Sequence, residues 1–151
     1  MNLVLGIKRK EYIMNDLLNY VCMSVPFELI VQYEGNDYYL DGMTSWNEVQ
    51  LATMDYISFN YTVPLNDIKP YLRPLSSMTE AENDDLYESG GRACWKNGSE
   101  IRLNELSGFK ETYRSLIWLV RNHFDCFNLI NQGLAVGVTK NNNPYEKDNC
   151  K

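Results

Sequence analysis

The stretch Ile68–Glu82 reads IKPYLRPLSSMTEAE and lies between two parts of the chain with different residue patterns. Pro70 and Pro74 each restrict φ to about −65° and remove a backbone donor. The residue before a proline also avoids helical geometry. We therefore expect this stretch to be extended and irregular, with a strand-rich part of the chain before it and a helical part after it.

The second half of the same stretch contains helix-start signals. Ser77 and Thr79 are followed three residues later by Glu80 and Glu82, which is the pattern of two overlapping capping boxes. A short helix is predicted over residues 80–89, with its carboxylates near the N-terminus, where the helix macrodipole favours negative charge. We interpret these carboxylates as a solvated surface rather than a metal site, because consecutive charges on a helix point in different directions.

The N-terminal segment 8–23 is predicted to form an amphipathic helix. Ile13, Leu17 and Val21 recur at every fourth position, with charged and polar residues between them. This spacing places the apolar side chains on one helical face, and Pro26 ends any continuation. We interpret the apolar face as core packing rather than as a membrane or partner-binding surface.

The next part of the chain, 27–63, is predicted to form an antiparallel β meander. Its segments are rich in β-branched and aromatic residues and are separated by short turn signals. These segments are Phe27–Glu34, Asp37–Asp41, Glu48–Thr53 and Asp55–Val63. Four short consecutive strands favour a sheet that curls on itself, so the expected architecture is a small barrel-like sheet.

A second hairpin is predicted after the proline-rich junction, which spans 64–79. Asn97 and Gly98 lie between two short runs that contain apolar residues, and this dipeptide is a strong signal for a tight hairpin turn. The hairpin is expected to cover residues 92–103.

The remaining C-terminal segments are predicted to be mainly helical. Apolar residues at helical spacing predict helices over 109–132, the first of them over Phe109–Phe124. Asp125 is in position to cap a second helix over 126–132, which Gly133 would end. The chain is then expected to form a final strand, 134–139, and a loose tail, 140–151.

Length and charge limit the class of protein. A chain of 151 residues suits a single α+β domain with its own hydrophobic core. The formal net charge of −6 opposes non-specific attraction to nucleic acid or anionic lipid. No apolar run approaches the ~18 residues of a membrane span, and the N-terminal MNLVLGIKRKEY lacks the charge order of a secretory signal. A cytoplasmic protein is expected.

His123 is the only histidine, so any histidine-dependent mechanism must use it. Cys126, three residues later, shares a helical face with His123, and the two would form a zinc site together with Cys94 or Cys22, but the closely paired spacing of zinc ligands is missing. Cys126 would form a nucleophilic trio with His123 and Asp125, but side chains so close along one helix end rarely adopt triad geometry. We therefore expect free thiols, no metal and no cofactor. An enzyme using His123 and Cys126 is kept as a second alternative.

Tyr71 and Arg73 lie in the segment that the prolines stiffen. Exposed Tyr and Arg are the residue types that dominate protein interfaces, so both are candidate binding residues. The competing explanation is structural, with Tyr71 and Leu72 sealing the end of the sheet and Arg73 pairing with a nearby acid. We favour the structural explanation.

Two motifs resemble a family of short uncharacterised proteins that are encoded by phages and prophages of gut bacteria. The first is the junction KPYLRPLSSMTE at Lys69–Glu80, and the second is an HFD…LI..GLA segment at His123–Ala135. The resemblance covers most of the chain but ends after Ala135, and Cys126-Phe127-Asn128 occupies a gap where many relatives have a basic residue. The resemblance implies a phage or prophage accessory protein in a bacterial host cell, without a known activity.

The function that the sequence predicts is non-catalytic binding of a protein, either a host or a phage factor. The candidate binding residues are Tyr71, Arg73, His123 and Asp125. Eleven tyrosines, a negative charge and the absence of a catalytic motif motivate this prediction. The alternative is a single-stranded nucleic-acid-binding protein, in which sheet tyrosines stack on bases beside a basic patch at Lys8–Lys10. The partner is an unidentified protein, nucleic acid and membrane are not expected partners, and the oligomeric state is left open.

Overall fold

The computed structural model describes residues 16–55, 60–88, 94–96, 100–102 and 109–149. These residues form an α+β domain with three α-helices, one six-stranded mixed sheet and one two-stranded hairpin. The helices are α1 (16–24), α2 (Glu80–Glu88) and α3 (Phe109–Arg121). No helix within these residues is long and apolar enough to cross a membrane.

The six-stranded sheet has the order β4-β3-β2-β1-β5-β8. Neighbouring strands are antiparallel except β5 and β8, which are parallel. The strands are β1 (Ile30–Tyr33), β2 (Asn36–Ser45), β3 (Glu48–Thr53), β4 (Tyr61–Pro64), β5 (Lys69–Leu72) and β8 (Val136–Gly137). The separate hairpin pairs β6 (Cys94–Lys96) with β7 (Glu100–Arg102).

The predicted meander is confirmed, but the barrel-like closure is wrong. Strands β1 to β4 pair in chain order, as the alternating segments indicated. The sheet nevertheless stays open, because β5 adds to the free side of β1 instead of joining β4. Strand β8 then extends the sheet further from β4. The two edge strands of the described sheet, β4 and β8, therefore lie at opposite edges and do not pair.

The expectation that no regular strand runs through Pro70 is also wrong. Leu72 accepts a hydrogen bond from Val138 N at 2.8 Å, so Leu72 turns its main-chain groups towards β8. Main-chain groups alternate sides along a strand, and Pro70 therefore faces the same side. Pairing with β8 begins only at Tyr71 and Val136. Because Pro70 lies before that pairing, its missing N–H removes no hydrogen bond from the sheet.

The predicted helix after the junction is confirmed as α2, and one of its two capping boxes forms. The Glu82 carboxylate accepts a hydrogen bond from Thr79 N at 2.9 Å, and Glu82 N donates to the Thr79 hydroxyl at 3.3 Å. This reciprocal pair satisfies donors at the start of α2. The Ser77 hydroxyl instead donates to the carbonyl of Pro74, within a 3₁₀ turn over Leu75–Ser77.

The hydrophobic core lies on both faces of the sheet, because successive strand residues point to opposite sides. One face packs against α1, the end of α3 and the turns that follow α3. Its buried residues include Leu17, Val21, Val31, Leu51, Leu72 and Val120. The other face buries Ile30, Tyr39, Ala52 and Tyr71 against residues of the C-terminal segment. A smaller cluster joins α2 to α3 through Leu86, Trp118, Leu119 and Phe124.

Some expectations fall partly or wholly outside the described residues. The helix predicted over 8–23 is observed from residue 16 onwards, and its first half lies outside them. The basic patch Lys8–Lys10 and the hairpin turn Asn97-Gly98 also lie outside them. The hairpin strands on either side of that turn pair as predicted.

The C-terminal expectations differ from the structure in four places. Helix α3 ends at Arg121, and the final strand expected over 134–139 is limited to Val136–Gly137. Residues 126–133 form consecutive turns rather than the expected helix, because Asn128 adopts φ 59°, which interrupts a helical path. The expected loose tail is instead packed, since a 3₁₀ helix spans Pro144–Asn149 and Tyr145 contacts the sheet. The tail is therefore part of the domain.

Candidate functional site

Helix α3 ends at Arg121, before the expected Phe124, in a Schellman motif. Phe124 N donates to Leu119 O at 2.9 Å, and His123 N donates to Val120 O at 3.0 Å. This pair of bonds defines the motif, and the buried side chains of Leu119 and Phe124 supply its usual hydrophobic contact. His123 occupies the position that glycine normally takes, with φ 60°.

His123 combines several unusual features. A left-handed backbone costs a non-glycine residue about 1–2 kcal/mol, although histidine tolerates it better than most residues. Its Nδ1 atom is buried and has no hydrogen-bond partner among the described residues. Its ring stacks on Tyr145, with centroids 4.2 Å apart and an interplanar angle of 5°. Burial, together with the charge of Arg73, lowers its pKa to about 4, so the imidazole is neutral at pH 7. Such features concentrate at functional sites.

Arg73 connects β5 to the turn that contains His123. Arg73 N donates to His123 O at 2.8 Å, and Asp125 N donates to Arg73 O at 2.9 Å, which makes a parallel bridge beyond the end of β5. Its guanidinium forms two hydrogen bonds with Glu82, of 2.7 and 3.0 Å, and lies 4.2 Å from the centre of the Phe124 ring. Arg73 therefore links α2 and the end of α3 to the sheet.

Asp125 is buried, and its side chain binds the main chain of the turns that follow it. Its carboxylate accepts hydrogen bonds from Leu129 N at 2.7 Å and Ile130 N at 2.9 Å. Charge-assisted bonds of this kind compensate the cost of burying a carboxylate. Asp125 therefore caps residues 126–133, as the sequence predicted, although these residues are turns rather than a helix.

Tyr71 is likewise enclosed, with 6% of its surface exposed. Its hydroxyl donates to Asp37 at 2.8 Å and accepts from the Gln32 amide at 3.1 Å. Burial, with the carboxylate of Asp37, raises the pKa of Tyr71. The tyrosine therefore links β5 to β1 and β2.

Tyr145 inserts its hydroxyl group between β1 and β5. The hydroxyl accepts a hydrogen bond from Ile30 N at 3.3 Å and donates one to Tyr71 O at 2.9 Å. These two main-chain groups lie just beyond the last β1–β5 pair, Val31 with Pro70. Burial raises the pKa of Tyr145, so the phenol keeps the proton that it donates. The Tyr145 hydroxyl thus bridges β1 and β5 at a position where two main-chain groups would otherwise pair directly.

A pocket of about 770 Å³ opens beside the His123–Tyr145 stack, and we call it the His123 pocket. Its walls come from the end of β5, the start of α2, the end of α3 and the segment after β8. The lining residues are Arg73, Ser77, Thr79, Arg121, Asn122, His123, Val138, Thr139, Lys140, Asn143, Tyr145 and Glu146. Of the sequence-predicted residues, Arg73 and His123 line the pocket, whereas Tyr71 and Asp125 are not among its lining residues.

Some charged side chains of the His123 pocket have an oppositely charged partner, and others do not. Arg73 is paired with Glu82. Arg121 and Lys140 are exposed and form no ion pair with any described residue. Glu146 is the one carboxylate among the lining residues. The pocket therefore has a positive balance, although the whole chain has a net charge of −6.

Cys126 does not have the properties of a nucleophile. Burial, reinforced by the charge of Asp125, raises its pKa to about 12. A reactive cysteine requires the opposite shift, because the thiolate is the attacking species. Within the described residues, no group of three or more His, Cys, Asp or Glu side chains is placed to hold a metal ion.

Acid should weaken the link between Arg73 and Glu82. Burial alone would raise the pKa of Glu82, but hydrogen bonds from Arg73 and Thr79 lower it below its ordinary value of 4.5. A carboxylate with a lowered folded-state pKa adds stability above its unfolded pKa and loses it as pH falls through the folded pKa. Glu82→Gln should therefore cost about 1 kcal/mol or less at neutral pH, and less still in acid.

Melting temperatures measured at pH values between about 7 and about 3 check this expectation. The wild type should lose its advantage over Glu82→Gln across the lower part of that range. Glu80→Gln is the matched control, because Glu80 is exposed on the same helix. A difference between wild type and Glu82→Gln that is independent of pH would contradict the prediction.

The sequence interpretation missed Arg121, Lys140 and Tyr145. The two cations resemble any surface cation, so nothing in the sequence distinguished them. Tyr145 did leave a signal, since it is an aromatic residue in an otherwise polar tail that follows Asn143-Pro144. Leu119 and Phe124, five residues apart, matched the hydrophobic pair of a Schellman motif and would have predicted the left-handed position of His123.

No protein-family model, curated protein or solved structure matches this chain.

Proposed function

We propose that this protein is a non-catalytic protein-binding module that holds an acidic group of its partner in the His123 pocket. The observation that supports this most directly is the local charge. Arg121 and Lys140 are both exposed and unpaired among the described residues, in a chain whose net charge is −6. The positive charge of the pocket attracts an acidic group to this place, while the negative charge of the rest of the chain repels other anions.

The backbone conformation and the buried Nδ1 atom of His123 also support this pocket as the binding site. The residue keeps a left-handed backbone where glycine would be unstrained, and its buried Nδ1 atom has no partner in the described part of the chain. Costs of this kind persist where function requires them. A ligand that enters the pocket would give the neutral imidazole a polar neighbour.

The resemblance to phage and prophage proteins extends the proposal to the type of partner, which would be a host or phage factor. Single-stranded nucleic acid is less well supported as a ligand. Of the sheet tyrosines, Tyr39 and Tyr71 are buried, and Tyr33 and Tyr38 are partly buried. Tyr61 is exposed, but its ring meets Tyr38 edge-on rather than forming a continuous stacking platform.

Charge reversal in the pocket tests the proposal. The test variant is Arg121→Glu with Lys140→Glu, and the control variant is Lys69→Glu with Arg114→Glu. Lys69 and Arg114 are exposed residues outside the pocket, so both double variants change the net charge equally. Tagged proteins are used to capture partners from an extract of the bacterial host, with and without phage infection. The affinity of each recovered partner is then measured with purified proteins.

The pocket variant is expected to bind the partner at least about tenfold more weakly than wild type, because each lost contact becomes a like-charge repulsion. The control variant should keep most of the affinity. Equal binding by the two double variants would contradict the proposal. A partner that is retained by the pocket variant but lost on Trp46→Ala would instead identify the β2–β3 hairpin tip, where Trp46 is 71% exposed, as the binding surface.

A further inference from the structure

We infer that the acidic group held in the His123 pocket is a phosphoryl group on a side chain of the partner protein, an inference that rests on the proposed function. The alternative anion from a protein is the carboxylate of an acidic residue or of a chain terminus. The two differ in shape and in charge, and both differences favour the phosphoryl group.

The available donors approach the pocket from different parts of the chain. Arg121 lies at the end of α3, and Lys140 and Asn143 belong to the segment after β8. The Asn143 side-chain oxygen accepts from Tyr145 N, and its amide nitrogen makes no hydrogen bond with any described residue. A carboxylate presents two oxygens in one plane. A phosphoryl group presents three oxygens in different directions, which suits donors that come from separate segments around one pocket.

The charge of the pocket favours a dianion. A phosphoserine or phosphothreonine has a charge of about −1.5 to −2 at pH 7, whereas a carboxylate has a single negative charge. Arg121 and Lys140 outnumber the single carboxylate of Glu146, and the resulting net positive charge attracts a dianion more strongly than a monoanion. The volume of about 770 Å³ exceeds that of a phosphoryl group and leaves space for the neighbouring residues of a peptide.

Glu146 provides an internal test of this inference. Its exposed carboxylate lies on the wall of the pocket and repels any anion there. Coulomb energy scales with the product of the charges, so removal of this carboxylate should help a dianion more than a monoanion. Glu146→Gln is therefore expected to tighten phosphate binding by about two- to fivefold and to change acetate binding less.

The direct experiment titrates the full-length protein with inorganic phosphate or with acetate, at constant ionic strength, and follows backbone and imidazole resonances by NMR. Phosphate should cause saturable shifts at His123 and Lys140, and acetate should bind at least about tenfold more weakly. The phosphate response should disappear in Arg121→Ala with Lys140→Ala and remain in Lys69→Ala with Arg114→Ala. His123→Asn, which suits the left-handed backbone, should fold and bind phosphate more weakly.

A second experiment separates this inference from the proposed function. The host extract is treated with a protein phosphatase before capture by the wild-type protein, and partner recovery should then be lost. Equal affinity for phosphate and acetate, or phosphate binding that survives the pocket substitutions, would overturn the phosphoryl assignment. So would recovery of the partner after phosphatase treatment, although the proposed function would stand if the charge-reversed pocket still failed to capture it. Loss of capture on nuclease treatment instead of phosphatase treatment would point to nucleic acid and overturn the assignment as well.

Discussion

Asp125→Ala is expected to lower the free energy of unfolding by about 2–4 kcal/mol. The carboxylate is 6% exposed and accepts two main-chain hydrogen bonds, from Leu129 and Ile130. Its removal leaves both donors without their partner in a region where Leu129 is fully buried. Buried donors without partners cost more than the net value of the bonds they lose. Chemical denaturation monitored by circular dichroism provides the measurement.

Asp84→Ala is the matched control for this substitution, because Asp84 is exposed on α2 and its side chain makes no hydrogen bond or ion pair with any described residue. It should change the free energy of unfolding by less than about 0.5 kcal/mol. Asp125→Asn should lie between the two, since its amide keeps one acceptor oxygen. A loss for Asp125→Ala no larger than that for Asp84→Ala would show that Asp125 does not hold the turns over 126–133.

Tyr145→Phe is expected to lower the free energy of unfolding by about 1–3 kcal/mol, an unusually large effect for the loss of one oxygen atom from a tail. The hydroxyl is the partner of both Ile30 N and Tyr71 O, which face each other across a gap between β1 and β5. Phenylalanine preserves the ring stack on His123 but leaves that donor and that acceptor unsatisfied. Hydrogen exchange should accelerate most at the amide of Ile30, because this amide loses its partner directly.

Tyr87→Phe and Tyr113→Phe are suitable controls for the loss of a hydroxyl, since these rings are 69% and 57% exposed. Both should be nearly neutral. Tyr145→Ala should be more destabilising than Tyr145→Phe, because it also removes the ring from the cluster with Ile30 and Tyr71. If Tyr145→Phe proved as neutral as the two controls, the hydroxyl of Tyr145 would not be the partner of Ile30 N and Tyr71 O in solution.

Local signals in the sequence predicted most of the secondary structure. The alternating segments gave the order of β1 to β4, and β3 was predicted with the bounds that it has, Glu48–Thr53. The Thr79–Glu82 capping box predicted the start of α2, and apolar residues at helical spacing predicted that α3 is a helix, although its expected face included Tyr113, which is exposed, and omitted Trp118 and Leu119, which are buried. These features depend on contacts between residues close in the chain, or on a repeat that matches one face of an element. Such information is present in the order of the residues.

The features that shape the His123 pocket depended on residues far apart in the chain. Tyr145 lies more than one hundred residues from its donor Ile30, at a separation of 115. Arg73 meets His123 only because the turn after α3 packs beside β5. No periodicity records such pairings, so the tail was expected to be loose and the positive charge of the pocket could not be foreseen.

The sequence by itself determined an α+β chain with a consecutive antiparallel meander, a capped acidic helix and an amphipathic helix near the C-terminus, because each follows from local geometry and side-chain periodicity. Tertiary structure alone decided that Pro70 lies within a strand, that the sheet remains open and that His123 faces a cationic pocket. The physical reason is that each depends on which distant segment supplies the missing hydrogen-bond partner or charge. A strand tolerates a proline only where the adjacent strand does not need a hydrogen bond from that residue's N–H. A pocket exists only where separate segments meet.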